Sequence, residues 1–274
     1  MALKPYATAE DRFWYYLSRF ICVLVLAFLV LPILVVAPIS FTSGNLLAFP
    51  LPGFSLRWYE SLVETPVWTT AAWNSLMIGL AASALAMLLG TTAALGLARS
   101  SFALKPVVIG LILSPVLVPI VITAVGIYFA FAATGLSGTY LGLVLAHTVL
   151  AVPFVVITVM ASLESFDFTL VRAASALGAS PVTAFRRVTL PIVLPGIASG
   201  GLFAFATSFD EIVVTLFLAA PDQRTLPRQL FSGVREYVSP GIAAVATLLV
   251  ILSAILLIVV QLLSRRNRRL TGRS

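Results

Sequence analysis

Six long apolar runs constrain this chain more than any other feature. They cover about residues 20–39, 73–97, 107–133, 141–162, 192–220 and 241–263. A helix needs roughly 20 apolar residues to cross about 30 Å of hydrocarbon, and each run is long enough. Inside lipid every backbone N–H and C=O must find its partner within the protein, which leaves helices or closed barrels. A barrel would read as short alternating segments, whereas these runs are continuous. The expected fold class is therefore all-α integral membrane, with six spans in a single domain over 1–274. No Pro/Gly/Ser-rich linker marks a second domain. Only 10% of the 274 residues are charged, against about 25% in soluble domains, so apolar surface must face lipid. Pro115 and Pro119 predict a kink or a break in the third run, and Pro153 a bend in the fourth. The first run is too long for a signal-peptide core and reads as a retained span.

Charge orients the spans. With six crossings both ends lie on one side. That side carries Lys4, Arg12, Arg19, Arg99, Lys105, Arg172, Arg186, Arg187, Arg265, Arg266, Arg268, Arg269 and Arg273. The other carries Arg57, Arg224, Arg228 and Arg235, a split of 13 to 4. Cationic loops stay inside, which predicts cytoplasmic termini. The net charge of +7 is thus an orientation signal, and nucleic acid is not an expected partner. Between the first two spans, residues 55–59 read as a short amphipathic helix on the outer surface.

Metal and redox chemistry find little support. Cys22 is the single cysteine and lies in an apolar run; His147 is the single histidine. His147 has no titratable companions in its span and reads as a hydrogen-bonded packing residue. Gly196, Gly200 and Gly201 form a small-residue edge suited to close helix contact. No cofactor is expected.

The segment between the fourth and fifth spans, about 164–191, has a legible local design. A helix from about Thr169 ends at Gly178, which takes the left-handed conformation at little steric cost. Ser180 caps the next helix, and Pro181 fills its first position, where a missing N–H costs nothing. Leu190-Pro191 is expected to end that helix before the fifth span.

This segment resembles the E-A-A-x3-G-x9-I-x-L-P loop of binding-protein-dependent ABC importer permeases. Ala173, Ala174, Gly178, Leu190 and Pro191 match at the family spacing, and Val188 stands at the isoleucine position. Arg172 replaces the family glutamate and reverses its charge. Residues 203–211 and 225–229 resemble the spermidine/putrescine group of that family. The resemblance implies a six-transmembrane-helix type I ABC importer permease of the MetI-like kind, in a bacterial inner membrane. It implies that Arg172, Ala173, Ala174, Gly178, Ala179, Ser180, Pro181, Leu190 and Pro191 form a coupling loop. That loop would dock on a cytoplasmic ATP-binding subunit, present in two copies. A second homologous permease subunit, a periplasmic solute-binding protein and a small-molecule substrate follow from the same resemblance. The chain has no G-x4-G-K-[ST] phosphate loop and is expected to be a transport subunit, not an enzyme.

Asp210 and Glu211 are the acidic residues within a run, and such groups usually face a cavity or a partner. At about 100° per residue, Thr207, Ser208, Glu211 and Thr215 share one face, with Asp210 on its flank. At ~1.5 Å per residue Glu211 lies roughly 28 Å along the run, toward the outer side. These five are the candidate substrate-path residues, and a carboxylate there suits a polyamine. Rival readings are another solute, such as an aminoalkylphosphonate or iron, and an ion-coupled secondary transporter or channel. A structural subunit of a larger membrane enzyme is a further alternative. The coupling-loop resemblance and the lack of further intramembrane charges argue against the ion-coupled class, and the chain lacks the histidines that haem or quinone sites of such a subunit would often use.

Overall fold

A computed structural model describes residues 8–164, 166–236 and 239–270; Lys4 and Arg273 of the charge count lie outside them. The described residues form helices and turns, with one isolated bridge between Thr42 and Phe54. The helices are α1 (Ala9–Ile39), α2 (Arg57–Glu64), α3 (Pro66–Arg99), α4 (Lys105–Leu117), α5 (Ile120–Thr134) and α6 (Tyr140–Glu164). They continue with α7 (Thr169–Ala176), α8 (Pro181–Ala184), α9 (Leu190–Phe209), α10 (Val213–Leu218), α11 (Leu226–Glu236) and α12 (Pro240–Leu270). Each apolar run falls on one helix or on a broken pair. The chain divides into two compact units, residues 1–64 with 233–250 and residues 65–232 with 251–274.

In the first unit α1 starts with a capping box. Thr8 accepts from the Asp11 amide, and Asp11 accepts from the Thr8 amide, satisfying two otherwise orphaned donors. None of the α1 residues is buried. An apolar helix exposed all round is stable only where lipid or another subunit covers it. The loop after α1 is tied down by its polar atoms. Ser40 and Tyr59 hydroxyls lie 2.6 Å apart, and Trp58 Nε1 donates to the Thr42 carbonyl at 3.0 Å. Arg57 donates to the Gly44 carbonyl at 2.6 Å and to Asn45, and stacks over the Trp58 ring. The short helix expected near residues 55–59 is α2, which buries Leu62.

The second unit is built on α3, α6 and α9. Three contacts run in step along α3 and α6. Tyr140 donates to Asn74 at 3.0 Å, Thr148 to the Ala82 carbonyl at 3.5 Å, and Gly90 abuts Val155. The two helices are therefore parallel. Helix α9 runs against both, with Phe205 over Gly79 and Gly200 against Val155. A Cβ on Gly200 would lie 2.9 Å from Val155 Cα, and one on Gly196 would lie 2.9 Å from Ser162 Cβ. The small-residue edge thus lets α9 approach the α6 backbone, where dispersion contacts substitute for the hydrophobic effect that lipid removes. The buried core around it is Ala86, Ala94, Ala151, Val155, Val159, Val193 and Ala204.

The third apolar run breaks at Val118–Pro119, and α4 and α5 are bent by 106°. Proline there can neither donate to the helix nor let its predecessor stay helical. Because α3 and α6 are parallel, the chain from residue 100 to residue 139 must return from one end of the bundle to the other. Lys105 Nζ bonds the Ser100 carbonyl at the first end; at the second, the Gly138 amide bonds the Leu218 carbonyl at 2.9 Å. The bent pair is accordingly one broken crossing. It makes the sixth apolar crossing alongside five long apolar helices. Pro153 lies inside α6, which continues through it.

Candidate functional site

Two places carry the chemistry suggested by the sequence: the α7–α8 hairpin and the break between α9 and α10.

The hairpin forms from local rules. Asp167 opens it by accepting from the Thr169 hydroxyl at 2.5 Å and the Thr169 amide at 2.8 Å. These bonds, helped by the nearby Arg172 charge, hold the Asp167 carboxyl below its ordinary value. Helix α7 closes on Gly178 at φ +85°, and the Ala179 amide reaches back to the Ala174 carbonyl at 3.0 Å. A left-handed glycine with such back-bonding satisfies the last carbonyls of a helix. Ser180 caps α8 by accepting from the Thr183 amide at 3.3 Å, with Pro181 in the first turn. Arg172, Ala173, Gly178, Ser180 and Pro181 are exposed; Ala174, Ala179 and Leu190 are half-buried. Leu177 at the tip is 89% exposed, and Val182 beside it is 65% exposed.

One expectation is corrected here. Leu190-Pro191 does not end the second helix. The chain passes from α8 through a π-turn at Phe185–Thr189 directly into α9. Pro191 lacks an N–H, and its ring would crowd the carbonyl four residues back. The wider turn relieves that, as the Leu190 amide bonds Phe185, five residues back. The hairpin's second arm is thereby the rigid end of the fifth span.

The fifth span itself is broken. Helix α9 stops at Phe209, and α10 starts at Val213. Glu211 accepts from the Val214 amide at 2.9 Å, so the carboxylate caps the second piece and competes with continuous helix. The single polar stripe expected through Thr207, Ser208, Glu211 and Thr215 presumed an unbroken helix, and it does not form. Ser208 and Thr215 are buried and turn to His147 on α6. Its Nδ1 lies 2.8 Å from Ser208 Oγ, and its Nε2 lies 3.3 Å from Thr215 Oγ1. Thr207 and Glu211 are half-buried, and Asp210 is exposed. His147 thus holds both sides of the break, a role invisible while the span is read as continuous.

Sequence reasoning also missed Asn74. It is 1% exposed, donates to the carbonyls of Asp222 and Arg224, and accepts from Tyr140. A lone amide inside the second apolar run was the available signal. No group of three or more His, Cys, Asp or Glu is placed to hold a metal among the described residues.

Comparison with known proteins decides between the classes left open by the geometry. Residues 86–269 match the family of binding-protein-dependent transport system inner membrane components. The chain belongs to this family. It is a multi-pass inner-membrane transport component and not an enzyme. It is 34% identical, over 92% of its length and 98% of the relative's, to the spermidine/putrescine transport system permease protein PotC of Haemophilus influenzae. It is 33% identical, over 81% of each chain, to the putrescine transport system permease protein PotI of Escherichia coli K12. Two structures of a bacterial alginate ABC transporter, the second in complex with a pentasaccharide-bound periplasmic protein, share the fold. They cover 94% and 96% of the chain with TM-scores of 0.74 and 0.67, at 15% and 16% identity. The family match spans the hairpin, the broken fifth span and α12 to residue 269, while α1, α2 and the first turns of α3 precede it.

Proposed function

We propose that this chain is one permease subunit of an ATP-driven importer for a small organic polycation of the putrescine or spermidine type. The observation that carries the cargo is the 34% identity to a spermidine/putrescine permease over 92% of the chain. The coupling step is assigned to the hairpin. Its exposed Leu177 and Val182, on either side of the left-handed Gly178, offer an apolar knob for a groove on a cytoplasmic ATP-binding subunit. Two copies of that subunit, a second homologous permease subunit and a periplasmic solute-binding protein complete the assembly. The 13-to-4 charge split supports cytoplasmic termini, with the hairpin on the same side.

The substrate path is assigned to the α9–α10 break. Asp210 and Glu211 supply negative charge there, with Thr207 beside them, while Ser208 and Thr215 brace the wall through His147. A protonated amine entering this region loses water, and a fixed carboxylate offsets part of that cost. Radiolabelled putrescine and spermidine uptake, in cells carrying the complete transporter, tests the reading. Glu211→Gln removes the charge and keeps the shape. Loss of one charge-assisted hydrogen bond, about 1.5–3 kcal/mol, is expected to lower uptake roughly tenfold or more. Unchanged uptake in both Glu211→Gln and Asp210→Asn rejects the acidic path. A wild type that takes up no polyamine, with another solute bound to its periplasmic partner, rejects the cargo and leaves the permease reading standing.

A further inference from the structure

The break in the fifth span holds Glu211 by its main chain as well as by its carboxylate. Its amide bonds the Ser208 carbonyl at 3.4 Å, and its Oε1 accepts from the Val214 amide at 2.9 Å. Its carbonyl accepts from the Thr215 hydroxyl at 3.3 Å. Among the described residues neither Asp210 nor Glu211 forms an ion pair with an arginine or lysine.

The Thr215 contact sets the direction of the hydrogen bonds around His147. A hydroxyl carries one proton. Thr215 gives that proton to the Glu211 carbonyl, so toward His147 Nε2, 3.3 Å away, it can only accept. Nε2 therefore carries the ring proton. The ring is fully buried and its polar contacts are two hydroxyls; a second proton would be a buried charge without a counter-ion. Nδ1 is then bare and accepts from the Ser208 hydroxyl at 2.8 Å. All the bonds run one way, from Ser208 on α9 through the ring on α6 and Thr215 on α10 to the Glu211 main chain. Hydrogen bonds in such a chain polarise one another. An apolar side chain at position 147 would fill the same space and orient nothing.

We propose that His147, as its Nε2–H tautomer, is a positioning residue for transport, which acts through Thr215 to hold the Glu211 carboxylate in place for a protonated amine. The inference rests on the acidic-path reading above and adds to it the residue that orients the acid. A carboxylate at a helix break can lose its place in two ways. Its peptide can rotate, or α10 can slide and restore continuous helix. The chain opposes both, because it ties the Glu211 carbonyl and the first turn of α10 to a ring on a different span.

Putrescine uptake per ATP hydrolysed, in proteoliposomes holding the complete transporter with its loaded periplasmic protein, is the measurement. Loss of folded protein lowers uptake and hydrolysis together and leaves this ratio unmoved. His147→Leu should lower the ratio at least about threefold, the worth of one average interhelical hydrogen bond in a membrane. His147→Gln again offers one donor and one acceptor and should restore most of it. Thr215→Val cuts the link between the ring and Glu211 while keeping the shape, and should act like His147→Leu. It decides the matter if the leucine variant fails to assemble with the ATPase. In a Glu211→Gln background His147→Leu should lower the ratio no further, because the charge it positions is already gone. Nitrogen NMR difference spectra between the wild-type transporter and His147→Gln isolate this ring, the single histidine of the chain, and should show Nε2 protonated and Nδ1 bare. An unmoved ratio in His147→Leu and Thr215→Val, beside a lowered one in Glu211→Gln, overturns the inference and spares the acidic path. An equal fold-loss from His147→Leu with and without the Glu211 charge overturns it in favour of a packing role, and a protonated Nδ1 overturns it as well. A wild-type ratio in Glu211→Gln removes Glu211 from the path, and this inference with it.

Discussion

His147 Nδ1 stands 2.8 Å from Ser208 Oγ, joining α6 to the last turn of α9. The other ring nitrogen reaches Thr215 across the break, at 3.3 Å. A neutral imidazole has one donor and one acceptor nitrogen, so one ring serves two hydroxyls that can each do either. The ring is fully buried, and both bonds link pieces of chain that no backbone hydrogen bond connects.

From this follows an energetic coupling. Interhelical hydrogen bonds in membranes average about 0.6 kcal/mol, with a maximum near 1.7. His147→Leu, which removes both, should therefore lower stability by roughly 1–2 kcal/mol. Ser208→Ala should cost less. In a double-mutant cycle the two changes should be sub-additive, because Ser208→Ala removes a bond that His147→Leu has already lost. Reversible unfolding in mixed micelles provides the values. Strict additivity would mean that the ring and the hydroxyl do not share a bond.

Close packing along α9 leads to a second expectation. Gly200 and Gly96 are both helical glycines, but their surroundings differ. A Cβ on Gly200 meets the Val155 backbone at 2.9 Å, whereas one on Gly96 meets nothing within 4 Å. Gly200→Ala should force α6 and α9 apart and cost about 1–3 kcal/mol. Gly96→Ala should stabilise by about 0.5–1 kcal/mol, through the lower entropy of the unfolded chain. Thermal shifts of the detergent-purified protein should have opposite signs. The same sign for both would show that the α6–α9 interface yields at Gly200.

These contrasts mark what could be read in the sequence. The apolar runs located the crossings because lipid thickness dictates their length. Gly178, Ser180 and Pro181 were legible because each acts within four residues of itself. Pro115 and Pro119 announced a kink or break through chain stereochemistry alone, and the break falls at Pro119 while Pro115 stays inside α4. The fifth-span break carried no such mark. It arises because Glu211 caps Val214, a choice between two local hydrogen-bonding patterns that periodicity does not register. Everything dependent on that break, including the Ser208–His147–Thr215 bridge, lay beyond a helical wheel. Leu190-Pro191 misled for the opposite reason. Proline usually stops a helix, but a π-turn upstream accommodates it and the helix continues.

Orientation gives a third expectation. In a Cys22→Ala background, a cysteine at position 230 should react with a membrane-impermeant maleimide in intact cells. One at position 179 should react only after the membrane is opened. Both sites suit the assay, since Leu230 and Ala179 are half-buried on non-spanning segments. Labelling of 179 but not 230 in intact cells would invert the assignment.

The last expectation concerns Gly178 and separates conformation from contact. At φ +85° the residue sits where only glycine is at ease, and a Cβ added there meets nothing within 4 Å. Any substitution therefore acts through backbone preference, not collision. For most residues the left-handed region costs roughly 1–2 kcal/mol; β-branched side chains resist it most, and asparagine tolerates it. Gly178→Val should reshape the turn, and Leu177 and Val182 would then no longer present one knob. Uptake and solute-stimulated ATPase activity should fall together, while the amount of protein in the membrane is retained, because the spans are untouched. Gly178→Asn should keep most of both activities. Equal, near-wild-type transport in the two variants would refute a coupling role for the hairpin. Equal, complete loss would mean that the ATPase groove senses the added atoms directly, so contact and not turn geometry would set the glycine requirement.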